Sequence, residues 1–167
     1  PWVRNTATIR KVPDVLRVQV VEYLPVAVAN VNDRFYLVAK DGDLISLHDP
    51  SYSLSNLPII NLSQEEKNSI ARRKISAAGK MLERIRESNR ALFLVISEIK
   101  VNKEMEIGLI LNNDNNLLIV NNDSDGSELM KYFGLLKEIR KKYSDGKIID
   151  LRYEGQLVVK KNSDGLI

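Results

Sequence analysis

The chain has 167 residues, 44% hydrophobic and 28% charged, which is the composition of a globular protein and not of a disordered segment. It contains no cysteine and one histidine, which excludes disulfides, thiolate catalysis and cysteine-ligated metals. A net charge of +3, from 25 basic and 22 acidic residues, is too mild and too mixed to indicate nucleic acid without a concentrated patch.

The first elements predicted are two strands, from Trp2 to Ile9 and from Leu16 to Val20, turned by Pro13-Asp14. Leu16, Val18 and Val20 share one face, and Arg17 and Gln19 the other. An isolated hairpin is marginal in water, so this segment reads as part of a unit that is completed upstream. The chain starts at Pro1 with no initiator Met and no charged-then-apolar leader, which leaves room for a signal or anchor upstream and is uninformative about location. No apolar run within it reaches the roughly 20 residues that span a bilayer.

Beyond Pro25, strands are expected at Val26 to Ala29 and Phe35 to Ala39, with Lys40-Asp41-Gly42-Asp43 turning into Leu44 to Leu47. His48 to Asn56 has the composition of a loop, and the proline of Leu57-Pro58-Ile59-Ile60 suits an edge or a strand start. Ser63-Gln64-Glu65-Glu66 fits a capping box opening a helix with Ile70, Ile75, Ala78, Leu82 and Ile85 in one stripe. Strands follow at Phe93 to Val101, Ile107 to Leu111 and Leu117 to Val120, the last two joined by the polar turn Asn112 to Asn116. A second helix has Asp125 and Glu128 at its start, Leu129, Phe133, Leu136 and Ile139 on its face, and Lys141 and Lys142 near its end, which suits the helix dipole. A closing hairpin runs from Ile148 to Tyr153, through a Glu154-Gly155 turn, to Gln156 to Lys160. The sum is an α+β fold: a largely antiparallel sheet with two helices on one face, preceded by the partial hairpin.

Chemistry-bearing motifs are sparse. His48-Asp49 sits in a Pro/Ser loop without a nucleophile motif, and a loop role outweighs a catalytic one. Asp41-Gly42-Asp43 and Asn121-Asn122-Asp123-Ser124-Asp125-Gly126 resemble pieces of a calcium loop but lack its twelve-residue ligand pattern, and turn chemistry accounts for them. Arg72, Arg73, Lys74, Lys80, Arg84 and Arg86 form a basic cluster, but Glu83 and Glu87 interleave and no aromatic accompanies it, so a solvated face is favoured over a phosphate-binding one. No phosphate loop, serine elbow or paired His/Glu motif supports an enzyme, and no cofactor is implied. The closing strand leaves two readings. Gln156 to Val159 is either internal or an edge guarded by Lys160 and Lys161, or it is an edge left open for a strand from another chain. Pattern alone favours the first.

The stretch "PWVRNTATIRKVPDVLRVQVVEYLPVAV" resembles the FtsQ/DivIB family of bacterial cell-division proteins, through Pro1-Trp2-Val3, Arg10, Lys11, Pro13-Asp14, the alternation Leu16, Val18, Val20, then Glu22 and Pro25-Val26-Ala27. "LVAKDGDLI", "LPII", "ISEI" at Ile96 to Ile99 and "IIDLRYEGQLVVK" continue the likeness in the family's order, so it spans nearly the whole chain. Ala7 and Ile9 sit one residue off the family's alternation, which predicts a bulge. The resemblance implies a non-enzymatic scaffold with one membrane span and an extracytoplasmic part at the division septum. In it residues 1–25 would be the last two strands of a POTRA domain, 26–160 the β domain and 161–167 a polar tail. Implied partners are FtsB-like and FtsL-like divisome proteins, with others through the POTRA domain, and no nucleic acid. Carried onto this chain, the resemblance implies docking by strand addition to the closing hairpin: Arg152 and Tyr153 on the Asp-Leu-Arg-Tyr motif, and Gly155, Gln156, Leu157, Val158 and Val159 as the edge. The alternatives are a POTRA-bearing transport or outer-membrane assembly component, and a basic-face nucleic-acid binder.

Overall fold

The computed structural model describes residues 3–31, 34–40, 42–46, 56–62, 68–143 and 146–160. His48-Asp49, Asp41, the capping box at Ser63 to Glu66 and the 161–167 tail lie outside these residues.

The chain opens with a separate two-stranded sheet, β1 (Val3–Lys11) and β2 (Val15–Glu22), which pair antiparallel across the Pro13-Asp14 turn. The register irregularity of this pair falls between Val3 and Asn5, and from Asn5 to Lys11, through Ala7 and Ile9 where a bulge is expected from the sequence, the pairing is continuous. Every residue of both strands is exposed. Register places Leu16, Val18 and Val20 opposite Arg10, Thr8 and Thr6 on one face, and Val15 and Val21 with Ile9 and Ala7 on the other. Leu16 is 64% and Val18 54% exposed, so both faces of the ribbon offer apolar surface to water.

The remaining strands form one nine-stranded sheet. They are β3 (Pro25–Val31), β4 (Arg34–Ala39), β5 (Leu44–Ser46), β6 (Ile59–Asn61), β7 (Ile96–Val101), β8 (Ile107–Leu111), β9 (Leu117–Val120), β10 (Ile148–Asp150) and β11 (Val158–Lys160). Their spatial order is β11-β10-β9-β8-β7-β6-β3-β4-β5. Five of the eight pairs are antiparallel, and β3 with β6, β6 with β7 and β9 with β10 are parallel. The fold is therefore α+β with a mixed, largely antiparallel sheet. Pro58 marks a strand start, not an edge: it lies just ahead of β6, a central strand, where its missing amide costs no ladder bond.

Helices α1 (Asn68–Ser88), α2 (Arg90–Val95) and α3 (Ser127–Lys142) supply side chains to one core cluster with the sheet. On α1 the inward stripe is Ala71, Lys74, Ile75, Ala78, Met81, Leu82 and Ile85, while Ile70 is exposed, so the expected stripe is rotated at its first member. α3 buries Leu129, Tyr132 and Ile139 and leaves Phe133 partly exposed. α2 was not expected, because Phe93 to Val95 read as the start of a strand. Asn89 decides otherwise: its extended backbone and its Oδ1, which accepts from the amides of Ala91 and Leu92, cap a short helix before β7 begins. Ile60, Ile75, Ile85, Ile99, Leu109, Leu118 and Ile149 are fully buried, each contributing about 1.5–3 kcal/mol by leaving water. A smaller cluster of Val28, Leu37, Ala39 and Ile45, with Tyr23 and Leu57 against it, lies separate from the helix-bearing core.

One close approach fixes the β4–β5 turn against α1. Gly42 has φ +88°, and a Cβ there would stand 2.5 Å from the Ser76 Cα, so only glycine fits.

Candidate partner-docking edge

The site expected from sequence lies at one end of the sheet, where β11 is the outermost strand. Among the described residues nothing pairs with its outer side. The closing hairpin is shorter than expected. Only Ile148–Asp150 and Val158–Lys160 pair, and residues 151–157 form a loop in which Gly155 takes φ +71° at the predicted turn. Tyr153, Glu154, Gly155 and Gln156 are exposed, Arg152 and Val158 and Val159 half-buried, and Leu157 packs against the main core.

The direction of the backbone groups follows from the neighbouring ladder. The Leu117 amide donates to the Lys147 carbonyl (2.9 Å) and the Leu151 amide to the Ile119 carbonyl (2.9 Å), so residues 147, 149 and 151 aim their polar groups at β9. In an extended strand these groups alternate sides, so Ile148 and Asp150 aim theirs at β11. Their partners Lys160 and Val158 are therefore the hydrogen-bonded pairs, and Val159, opposite Ile149, turns its amide and carbonyl outward. The side chains obey the same alternation. Ile149 and Leu151 lie in the helix-covered core, and Asp150 and Lys160 lie on the opposite face, where their charged ends are 3.7 Å apart.

Arg152 occupies that opposite face, and its guanidinium is engaged within the chain. Nε donates to Asp150 Oδ1 (2.9 Å), Nη2 to Asp150 Oδ2 (2.7 Å) and Nη1 to Glu106 Oε1 (2.5 Å). The Arg152 amide adds a bond to Asp150 Oδ1 (3.2 Å). Asn102 prepares Glu106 by accepting from the amides of Glu104 and Glu106 and donating from Nδ2 to Glu106 Oε2 (2.8 Å). Asp150 is wholly buried, and a buried carboxylate is stable only when paired in this way. Neither Asp150 nor Glu106 was singled out from sequence. The Asp-x-Arg spacing of residues 150 and 152 puts opposite charges on one strand face and is legible, whereas Glu106 is brought in from 46 residues away.

The hydrogen bonds from Arg152 hold both carboxyls below the usual range. Asn102 assists at Glu106, and burial opposes the shift at Asp150. A lowered folded value means stability that is complete above the unfolded value, near 4, and is lost as pH falls through the folded one. Asp150→Asn should therefore lower the urea midpoint relative to the parent chain by a constant amount between about pH 5 and 8, and that gap should close below about pH 4. A gap unchanged down to pH 3 would show that the Asp150 charge contributes nothing.

The other motifs have structural employment. Arg84 donates to the Asn122 carbonyl, and Arg86 pairs with Glu83 (2.5 Å), donates to the Pro25 carbonyl (3.1 Å) and lies 5.9 Å from the Phe93 ring centre. With Lys74 buried, only Arg72, Arg73 and Lys80 of the basic cluster are exposed. The 121–126 segment leads into α3: the Ser124 hydroxyl donates to Glu128 (2.5 Å) and accepts from the Gly126 amide, and Asp125 accepts from the Ser127 amide. Among the described residues no cluster of acidic or imidazole side chains could hold a metal, and no helix is long and apolar enough to cross a membrane.

Comparison with known proteins finds similar chains. The family model for the C-terminal part of the cell-division proteins FtsQ and DivIB matches residues 27–152, from β3 to Arg152. A cell-division protein FtsQ from Koribacter versatilis (strain Ellin345) is 25% identical over 166 residues, which cover 98% of this chain and 48% of that protein. The chain thus spans about half the length of that relative. Among solved structures, the major extracytoplasmic domain of the trans isomer of the cell-division protein DivIB from Geobacillus stearothermophilus is similar at a TM-score of 0.49 and 14% identity, covering 74% of this chain and 99% of that one.

Proposed function

The chain belongs to the FtsQ/DivIB family of non-enzymatic cell-division proteins, and from that membership we propose that it is an extracytoplasmic scaffold of the divisome that recruits its partners by strand addition to β11. The carrying observation is the outward-facing Val159 backbone on an outermost strand. An extended segment laid along it gains main-chain hydrogen bonds, and the contacts of its alternate side chains beside the strand would select its sequence. Tyr153, Gly155, Gln156 and Val158 border that edge, Leu157 supports it from the core side, and Arg152 anchors the loop. The partners fitting this reading are FtsB-like and FtsL-like proteins, which the scaffold would link to septal wall synthesis from a membrane-anchored position at the septum.

Residues 1–25 are read as the last two strands of a POTRA domain, with 26–160 as the β domain and 161–167 as a tail. The support is the apolar surface on both faces of the β1–β2 ribbon, which further elements of such a domain would cover.

Backbone hydrogen exchange with and without an FtsB-like protein tests the docking mode. The Val159 amide should slow about tenfold or more on partner addition, while those of Val158 and Lys160, already bonded to β10, change little. An unprotected Val159 in a saturated complex would overturn strand addition.

A further inference from the structure

We propose that the outer face of α3 is a second docking surface, which takes an acidic amphipathic helix of a partner protein against Met130, Phe133 and Gly134, with Lys137 and Lys141 meeting its carboxylates. The inference rests on the scaffold reading and is independent of strand addition to β11.

Positions 130, 133, 134, 137 and 141 fall on one face of a helix, and α3 meets the core with the other, through Leu129, Tyr132 and Ile139. Met130 is 57% and Phe133 37% exposed, so an apolar strip points away from the core. Gly134 lies within that strip. A Cβ built there meets nothing within 4 Å, and its φ is not positive, so neither a turn nor a close neighbour inside the chain requires glycine. A glycine inside an exposed helix lowers its stability relative to alanine. What it provides is a notch in the strip, where the backbone of another helix can come close.

Charge selects the occupant. α3 exposes Lys131, Lys137, Arg140, Lys141 and Lys142 against one exposed acid, Glu138. The last three of these cations suit the helix dipole, but Lys131 and Lys137 lie ahead of the last turn and gain little from it. Among the described residues neither Lys137 nor Lys141 has an ion-pair partner, whereas Lys100, Arg152 and Lys160 on the open sheet face all do. A second copy of the chain would bring the same cations to this face, and they repel. The strip is also narrower than the apolar face of a helix that lies in a lipid surface. A helix with its own apolar stripe and acidic flanks fits both the notch and the charge.

The test titrates the whole chain, followed by amide chemical shifts, with a synthetic helical peptide that carries leucines on one face and glutamates beside them. A twin peptide has lysine in place of each glutamate. The glutamate peptide should shift the amides of α3 and bind about tenfold or more tightly than its twin at about 0.1 M salt, with the difference shrinking at about 1 M. Lys137→Glu with Lys141→Glu should reverse the preference. Gly134→Leu should weaken binding about tenfold or more and yet raise the unfolding midpoint, because leucine fills the notch and is the better helix former. A glycine with a merely structural role would not separate the two readouts. In the full-length protein the same variant should slow septation, and cells of ordinary length would overturn the proposal. Equal affinity for both peptides would overturn it too, as would a dimer of the chain alone that Gly134→Leu disrupts, or binding to phosphatidylglycerol vesicles in place of the peptide. Val159→Pro should leave the peptide affinity unchanged, so failure of strand addition, read as an unprotected Val159 in the parent complex, is distinguishable from failure of this surface.

Discussion

Val159→Pro should weaken partner binding about tenfold or more while leaving the chain folded, and Val158→Pro should do the reverse damage, breaking the edge strand itself. Proline removes one amide donor and fixes φ near −65°. At position 159 the lost amide faces outward, so the change costs no internal hydrogen bond; edge strands tolerate proline where its nitrogen faces solvent. At position 158 the lost amide belongs to the ladder with Asp150, and its loss exposes the buried carboxylate that Arg152 and Lys160 share. The expected result is a loss of affinity of about tenfold or more for Val159→Pro, since one donor and the register of its neighbours go together, with an unfolding free energy within about 0.5 kcal/mol of the parent. Val158→Pro should lower the unfolding free energy by about 1–3 kcal/mol. Titration calorimetry with an FtsB-like protein and urea unfolding check both. Full affinity in Val159→Pro would mean that the edge is not the docking site.

The contrast between neighbouring residues shows what a sequence can and cannot convey about this site. Alternation of Ile149 and Leu151 with Asp150 and Arg152 was enough to place a strand and two faces, and the Glu154-Gly155 pair was enough to place a turn, where the structure has Gly155 at positive φ. The extent of pairing was not legible, because the residues from Leu151 to Leu157 keep strand-like chemistry while Arg152 bends back to Asp150 and takes the chain out of the ladder. Nor was the direction of the Val159 amide, which depends on how β10 pairs with β9 on its far side. The helices repeat the lesson. Apolar spacing located α1 and α3, but α2 turned on the side chain of Asn89, a local competitor to the strand propensity of Phe93 to Val95. Apolar spacing puts Phe133 on the inner face of α3, but Tyr132 is the residue buried there, its hydroxyl finding partners inside.

Those partners give Tyr132→Phe a large expected effect on stability, although it removes a single oxygen. Tyr132 is fully buried, and its hydroxyl donates to Asp114 Oδ2 while accepting from Asn116 Nδ2 (3.0 Å). Burial, reinforced by the hydrogen bond to Asp114, pushes the hydroxyl's pKa up, so it stays a donor at any pH the protein meets. Asn116 donates to Asp114 Oδ1 from both its amide (3.1 Å) and its Nδ2 (2.9 Å), and its Oδ1 accepts from the Lys147 amide (3.0 Å). The network therefore joins the β8–β9 turn, α3 and the residue that leads into β10. Removing the hydroxyl leaves the Asp114 carboxylate, 8% exposed, with Asn116 as its sole remaining partner in that network. The penalty is that of a buried charge deprived of a donor, about 2–4 kcal/mol, several times the usual worth of one neutral hydrogen bond. Asp114→Asn in the Tyr132→Phe background removes the charge and should restore about half of the loss. Urea unfolding of the single and double variants measures both quantities. A cost below about 0.5 kcal/mol for Tyr132→Phe would mean that the carboxylate is solvated and that the network does not hold β10 in place beneath the docking edge.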